Sequence, residues 1–258
     1  MIPLSSPRDE IVSHLGTPLE EHLGEVAKRC ATDADGREKR FYEIIGACHD
    51  FGKATSYFQE YIRSEREQSL RTNHAAISGL ACFHALRADD FDDLACATGW
   101  YVVDRHHSPM TDVDGDGGVF ERALDHRRRV PIYHDQVESV KNPVDVQRIY
   151  DSLDVPLDVS AFVDWILDNA FYMEIRNAMG YGGRIDEPPR DSCYHAIEAY
   201  ARLVSADKLC AAGYALPERA TISTDAVERH VRETFGAPEE GSLDARREAA
   251  RQAVREGA

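Results

Sequence analysis

Apolar residues recur at helical spacing in one segment of the chain after another. Leu19, Leu23, Val26, Ala27 and Cys30 line one side of a helix. Thr17-Pro18-Leu19-Glu20 marks its start, with Thr17 as N-cap, Pro18 in the first helical position and Glu20 as capping-box acid. Residues 33–36 end it. A second helix is expected over about 38–50, with Phe41, Ile44, Ile45 and Cys48 on its apolar side. Tyr57, Phe58 and Tyr61 continue into another, and 73–86 and 92–105 predict two more. The pattern then changes. Residues 112–118 spell an Asp/Gly-rich turn, and 122–143 are polar with few apolar anchors, which predicts an exposed stretch. Helical spacing returns over 160–179 and, after a loop holding Gly180, Gly182, Gly183, Pro188 and Pro189, over 192–212. There Ile197, Tyr200, Leu203, Val204 and Cys210 form the expected apolar side. Residues 214–219 read as a boundary, and the tail from Gly236 carries a short helix-like run. No alternating strand pattern stands out and no repeat is present, so the expected fold class is all-α.

Composition narrows the class. The chain has 258 residues, 43% of them hydrophobic, enough for one large domain with a core, alone or with a tail. No apolar run approaches the roughly 20 residues of a membrane span, and residues 1–10 carry no signal pattern. The expectation is a soluble, cytoplasmic protein. Cys30, Cys48, Cys82, Cys96, Cys193 and Cys210 form no C-x-x-C pair and are expected to be buried free thiols. The net charge of −16 argues against a protein that coats nucleic acid passively, because such binding rests on neutralising phosphates. It leaves room for a nuclease whose metal ions supply local positive charge. The lysines are Lys28, Lys39, Lys53, Lys141 and Lys208, and an acidic, Lys-poor surface predicts a halophilic source.

The candidate chemistry lies in histidines and carboxylates. His22 shares the inward side of the first helix with Leu19 and Val26, where a hydrogen-bonded core histidine is the ordinary occupant. His49-Asp50 closes an apolar helix and precedes Phe51-Gly52-Lys53. A buried imidazole beside a buried carboxylate is costly unless both are paired or bind a cation. His74 opens its own helix, and the adjacent His106 and His107 sit at a helix end, where both can turn toward one ion. Asp207 interrupts an apolar helical segment and needs a partner: Lys208, a group on another helix, or a metal. Imidazole nitrogens and carboxylate oxygens suit first-row divalent metals. Two near-matches fail. Asp112-x-Asp114-x-Asp116-Gly117 begins like a calcium loop but has Ala123 where the bidentate acid belongs. Gly46 to Lys53 has one residue too many for a phosphate-binding loop, and Ala54 follows the lysine.

In order, His22, His49-Asp50, His74, His106-His107 and Asp207 along a helical chain resemble the HD superfamily of metal-dependent phosphohydrolases. The added His74 and the His106-His107 pair make the set similar to the CRISPR-associated type I HD nuclease. The resemblance covers roughly residues 10–215. It implies an HD-domain helical bundle with a metal site between helices over 1–215, and over 216–258 a C-terminal helical extension or linker toward a helicase. It implies that His22, His49, Asp50 and Asp207 hold one metal, and that Asp50, His74, His106 and His107 hold a second, with Asp50 bridging. The ions would be one or two divalent transition metals (Mn, Fe, Ni or Co, with Mg and Zn also admitted). Asp50 and Lys53 would be catalytic, Lys53 either countering phosphate charge or supporting Asp50. The implied substrate is single-stranded DNA, and the implied partners are a separate or fused helicase subunit and a CRISPR RNA-guided surveillance complex, with no membrane. Arg63, Arg66, Arg71 and Arg105 are candidate guides for the DNA backbone. The sequence itself departs from full-length relatives in carrying no helicase motor. Two other classes compete: an HD phosphohydrolase of small nucleotides, and a non-enzymatic scaffold that docks a partner.

Overall fold

The computed structural model describes residues 11–110, 125, 127–178 and 190–214, with isolated positions beyond. The expected turn at 112–118, the loop at 180–189 and all but isolated positions of the tail from 236 lie outside the described residues. The chain divides into two compact units, Met1–Ala215 and Leu216–Ala258, and the described elements all belong to the first.

Among the described residues there are ten α-helices: α1 (Leu19–Cys30), α2 (Gly36–Cys48), α3 (Ser56–Ile62), α4 (Ala75–Ala88), α5 (Asp93–Arg105), α6 (Val130–Glu138), α7 (Pro143–Ser152), α8 (Val159–Leu167), α9 (Ala170–Ala178) and α10 (Arg190–Ala211). The fold is an all-α bundle with a buried His/Asp cluster between its helices. A small antiparallel hairpin precedes it, β1 (Val12–His14) paired with β2 (Thr17–Pro18).

That hairpin corrects the expected start of α1. Thr17 does not cap the helix. It pairs with His14, Pro18 occupies the N-cap position with no side-chain cap, and Leu19 N–H donates instead to the Ile11 carbonyl at 2.9 Å. A backbone acceptor from the hairpin does the work that a Thr hydroxyl would otherwise do. Gln59 of α3 locks the hairpin in place. Its side-chain oxygen accepts from Val12 N–H at 3.2 Å, and its Nε2 donates to the Val12 and Lys53 carbonyls, each at 2.7 Å.

α4 is buried on nearly every side from Ala75 to Leu86, which its run of Ala, Ile, Leu, Cys and Phe dictates. Around it the helices approach closely where glycine permits. At Gly46 on α2, a Cβ would fall 2.6 Å from Ala27 Cα, so glycine sets the α1–α2 spacing.

The stretch 122–143 is not uniformly exposed. It contains α6, whose Val130, Ile132, Tyr133 and Val137 are buried. The polar run Asp125 to Arg129 masks the start of this apolar stripe in the sequence. α7 begins at Pro143 after Asn142 in the left-handed conformation (φ 39°). The helix expected over 160–179 is two helices, broken at Asn169 (φ 59°), a residue type that tolerates this conformation. On α10 Leu203 is fully buried, but Ile197 is 55% exposed and does not share the expected apolar side.

Candidate metal centre

The seven candidate ligands come from helix ends and from two helices that flank them. His22 projects from the second turn of α1. His49 is the C-cap of α2 and keeps helical torsions, whereas Asp50 leaves them (φ −117°, ψ 20°) and opens a 3-10 turn at Phe51–Ala54. Gly52 lets this turn lie against α4, since a Cβ there would fall 2.6 Å from the His74 carbonyl oxygen. Gly52 N–H donates to Ser78 Oγ (2.9 Å), which itself donates to that carbonyl (2.7 Å). His74 is the N-cap of α4. Gln136 of α6 holds the approach to it by donating to the Arg71 and Asn73 carbonyls at 2.9 and 2.8 Å. His106 caps the C-terminus of α5 and His107 follows it. Asp207 stands on α10.

These side chains form two sets that share Asp50. Asp50 Oδ2 lies 3.1 Å from His22 Nε2 and 3.2 Å from His49 Nε2, and Asp207 Oδ1 lies 3.5 and 3.7 Å from the same two nitrogens. On the other side, Asp50 Oδ1 lies 3.0 Å from His74 Nε2 and 3.6 Å from His106 Nε2, and His74 Nε2 meets His107 Nε2 at 2.9 Å. The first set is buried throughout, while the second opens outward through half-buried His74 and exposed His107.

Local chemistry fixes the ring orientations. His49 Nδ1 donates to the Gly46 carbonyl (2.7 Å) and His106 Nδ1 to the Val103 carbonyl (2.6 Å). A carbonyl only accepts, so Nδ1 carries a proton and Nε2 is the nitrogen that faces inward. Lys53 is not a solvated lysine beyond a helix end. It is 3% exposed, and its Nζ contacts Asp50 Oδ2 at 2.6 Å. Asp207 also faces Lys208, at 3.7 Å through its second oxygen, but Lys208 is largely exposed and leaves Oδ1 turned inward.

The donor set fits divalent ions. Both carboxylate oxygens of buried Asp50 point at ring nitrogens of neighbouring histidines, and His106 Nε2 lacks a hydrogen-bond partner in the protein. Orphaned buried polar atoms are expensive. With metal–nitrogen bonds of about 2 Å, two ligands on one ion sit roughly 3 Å apart. The His22 and His49 Nε2 atoms are 3.3 Å apart.

Proton affinities divide along the same line. Burial pushes His49 down, but Asp50 beside it and hydrogen bonds to Asp207 and Asp50 outweigh this and raise it to about 9. His22 is raised too: burial again opposes, and the bonds to Asp207 and Asp50 prevail. The two Nε2 atoms face each other at 3.3 Å, with a carboxylate oxygen of Asp50 and one of Asp207 near both. In the open set burial dominates. It holds His74 at about 4 despite Asp50; His107 is exposed as a residue, but its ring is shielded against His106 and His74 and is held at about 3. For Asp50 and Asp207 burial alone would favour the neutral acid. The surrounding imidazoles, joined at Asp50 by Lys53, outweigh it and hold both carboxylates below their usual range.

Two neighbours were not legible in the sequence. His14, on β1, sets its ring edge against His22 with centroids 5.3 Å apart, and its Nε2 is buried without a partner. Cys210 places Sγ 3.5 Å from His22 Nδ1. The candidate DNA-guiding arginines all have partners within the chain. Arg66 pairs with Glu60, Arg71 with Asp135 and Arg105 with Asp104, and Arg63 donates to Gln59, so guiding a strand would require exchange of these contacts.

A stretch of 76 residues, 29% of this chain, is 36% identical to the CRISPR-associated nuclease/helicase Cas3 of Haloferax volcanii, and covers 8% of that protein's length. No family model matches the chain. No solved structure matches it. The chain thus shares partial homology with a CRISPR-associated nuclease/helicase, and its helical fold with a His/Asp cluster agrees with an HD domain.

Proposed function

We propose that this chain is a metal-dependent nuclease of CRISPR type I interference that hydrolyses phosphodiester bonds of single-stranded DNA beside a helicase. The observation that carries the reading is Asp50. It is fully buried, it pairs with the buried Lys53 through Oδ2, and each of its oxygens faces its own set of imidazoles. His22, His49, Asp50 and Asp207 would hold one divalent ion, and Asp50, His74, His106 and His107 a second, drawn from Mn, Fe, Co or Ni, with Mg or Zn also compatible. Bound ions of this kind supply Lewis acidity toward a phosphoryl oxygen and make water nucleophilic near neutral pH.

The chain's own groups prepare the site. Lys53 keeps Asp50 ionised, and in the reaction its ammonium balances negative charge gathering at the phosphate. The carbonyls of Gly46 and Val103 keep two imidazoles in the ligating tautomer. Burial of the first set excludes bulk water, and the exposed edge at His107 gives a strand access from one side. That access suits a polymer better than a closed pocket would.

A separate or fused helicase would deliver the strand at the direction of an RNA-guided complex in the cytoplasm, with 216–258 as the link toward the motor. Similarity to a Haloferax protein and the charge of −16 support a protein adapted to high salt. Helical circular dichroism should fall sharply in low-salt buffer; indifference to salt would remove this part of the reading.

The deciding experiment incubates the protein with labelled single-stranded DNA, duplex DNA and deoxynucleoside triphosphates. It uses Mn²⁺, Ni²⁺ or EDTA, beside an Asp50→Ala control. Metal-dependent cutting of the single strand, absent in the control, is the expected result. Phosphate release from the nucleotides alone would make the chain a small-nucleotide hydrolase. No reaction at high salt with intact helices would leave a scaffold.

A further inference from the structure

We propose that Cys210 is a positioning residue for His22: its sulfur accepts the His22 Nδ1–H and so keeps Nε2 turned, with its lone pair free, toward Asp50 and Asp207. The inference rests on the reading of His22 as a metal ligand and adds a residue to it.

The reason lies in where each imidazole sits on its helix. The carbonyls of the last turn of a helix have no partner within the helix. His49 and His106 stand at the C-termini of α2 and α5, so their Nδ1 groups reach last-turn carbonyls one turn back, at Gly46 and Val103, the latter also accepting from the His106 backbone N–H at 3.4 Å. His22 stands in the second turn of α1. There the carbonyls one turn back are already engaged by the helix, so its Nδ1 needs an acceptor from elsewhere. α10 provides it. Asp207 and Cys210 are three residues apart and therefore on one face of that helix. Asp207 Oδ1 meets the ring at Nε2 (3.5 Å), and Cys210 Sγ meets it at Nδ1 (3.5 Å). The two ring nitrogens of His22 are thus both read by a single helix, whereas His49 and His106 are oriented by their own. The other cysteines whose side chains are described are buried, and Cys210 alone among them is half-buried, at the rim of the cluster.

The test compares Cys210→Ala, Cys210→Ser and His22→Ala with the wild-type full chain. Each is titrated with Zn²⁺ against a chromophoric chelator, and the imidazole N–H resonances of the zinc-loaded, ¹⁵N-labelled proteins are recorded. The wild type should bind zinc and show a protected His22 Nδ1–H. Cys210→Ala should weaken zinc binding by about tenfold or more, as loss of a ligand's outer partner does, and lose that resonance. Serine, which keeps an acceptor, should restore much of both. Alanine and wild type alike in affinity and resonance would overturn the proposal, as would a loss that serine does not relieve, since volume rather than acceptance would then be the cause. Wild-type protein that binds zinc no better than His22→Ala overturns the metal reading itself, and the inference with it. Normal zinc binding lost in His22→Ala but untouched in both Cys210 variants overturns the inference alone.

Discussion

The two sets that meet at Asp50 are built from the same residue types yet behave oppositely. His22, His49 and Asp207 form a closed half with two acids for two imidazoles, Asp50 being shared, and there an imidazole is raised to about 9. His74, His106 and His107 form an open half in which one oxygen of Asp50 serves His74 and His106, and desolvation holds His74 at about 4 and His107 at about 3. The ratio of acids to imidazoles, more than depth, sets the sign. A metal entering the closed half must displace a proton, while His74 and His107 in the open half offer neutral nitrogens at pH 7.

The largest effect belongs to the residue common to both. Asp50→Asn should abolish cleavage, by about 10³-fold or more if several kcal/mol of transition-state stabilisation is lost. It should also strip both sets of their ions in an equilibrium titration. In the metal-free protein it leaves Lys53 and the raised imidazoles without their counter-charge, a loss of about 3–5 kcal/mol on removing one partner of a buried pair. Urea unfolding checks that figure. Next come His22→Ala and His74→Ala, one from each half. Each should lower affinity in its own half by more than about 100-fold, beyond what losing an outer partner does. His22→Ala should also reduce proton release on metal binding, measured calorimetrically in buffers of different ionisation enthalpy. Equal proton release from both variants would break the comparison.

The open half was the more legible of the two. His74 and the His106-His107 doublet stand at helix ends, as does the His49-Asp50 doublet that joins the two halves, and helix ends can be found from capping and periodicity. His22 and Asp207 were visible as polar residues within apolar stripes, but periodicity cannot tell a satisfied core histidine from a ligand. His14 and Cys210 could not be found at all. His14 reaches the site only because Gln59 pins a hairpin too short to show alternation. Cys210 reaches it only because α10 packs beside α1, nearly 190 residues away in sequence. The same limit hid α6, whose Gln136 buttresses His74 from behind a run of charged residues. The all-α class followed from repeated local spacing, which long-range packing did not override.

A smaller effect sharpens the electrostatic contrast. In the metal-free protein the raised His49 adds stability that is fully present below about pH 6.5 and is lost as pH rises through about 9, of order 3 kcal/mol at most. His74 works the other way. Its lowered value means the unfolded chain binds a proton first, so stability falls as pH drops from 6.5 toward about 4. The metal-free protein should therefore be most stable near pH 6.5, with both limbs visible in urea midpoints. Added divalent ion should lift the alkaline limb, because it takes the place of the lost proton. A stability curve flat from pH 6.5 to 9 would mean that the closed half holds no extra proton.

The smallest effect tests the outer edge. His107 is exposed, and its Nε2 meets His74 Nε2 at 2.9 Å. Its ring packs against His106, with centroids 3.9 Å apart, and against His74, so His107→Ala should lower unfolding free energy by about 1 kcal/mol. Its role in the open half predicts a separate signature: weaker binding of the ion held by His74 and His106, slower cleavage at limiting metal, and recovery at high metal concentration. Affinity in the closed half should stay as it was, because His22 and His49 keep their own contacts to Asp50 and Asp207. Recovery by metal distinguishes a lost ligand from a lost contact to DNA, which added metal would not restore. A variant whose activity stays low at saturating metal would move His107 from the metal set to the substrate-facing edge, and the open half would then be Asp50, His74 and His106 alone.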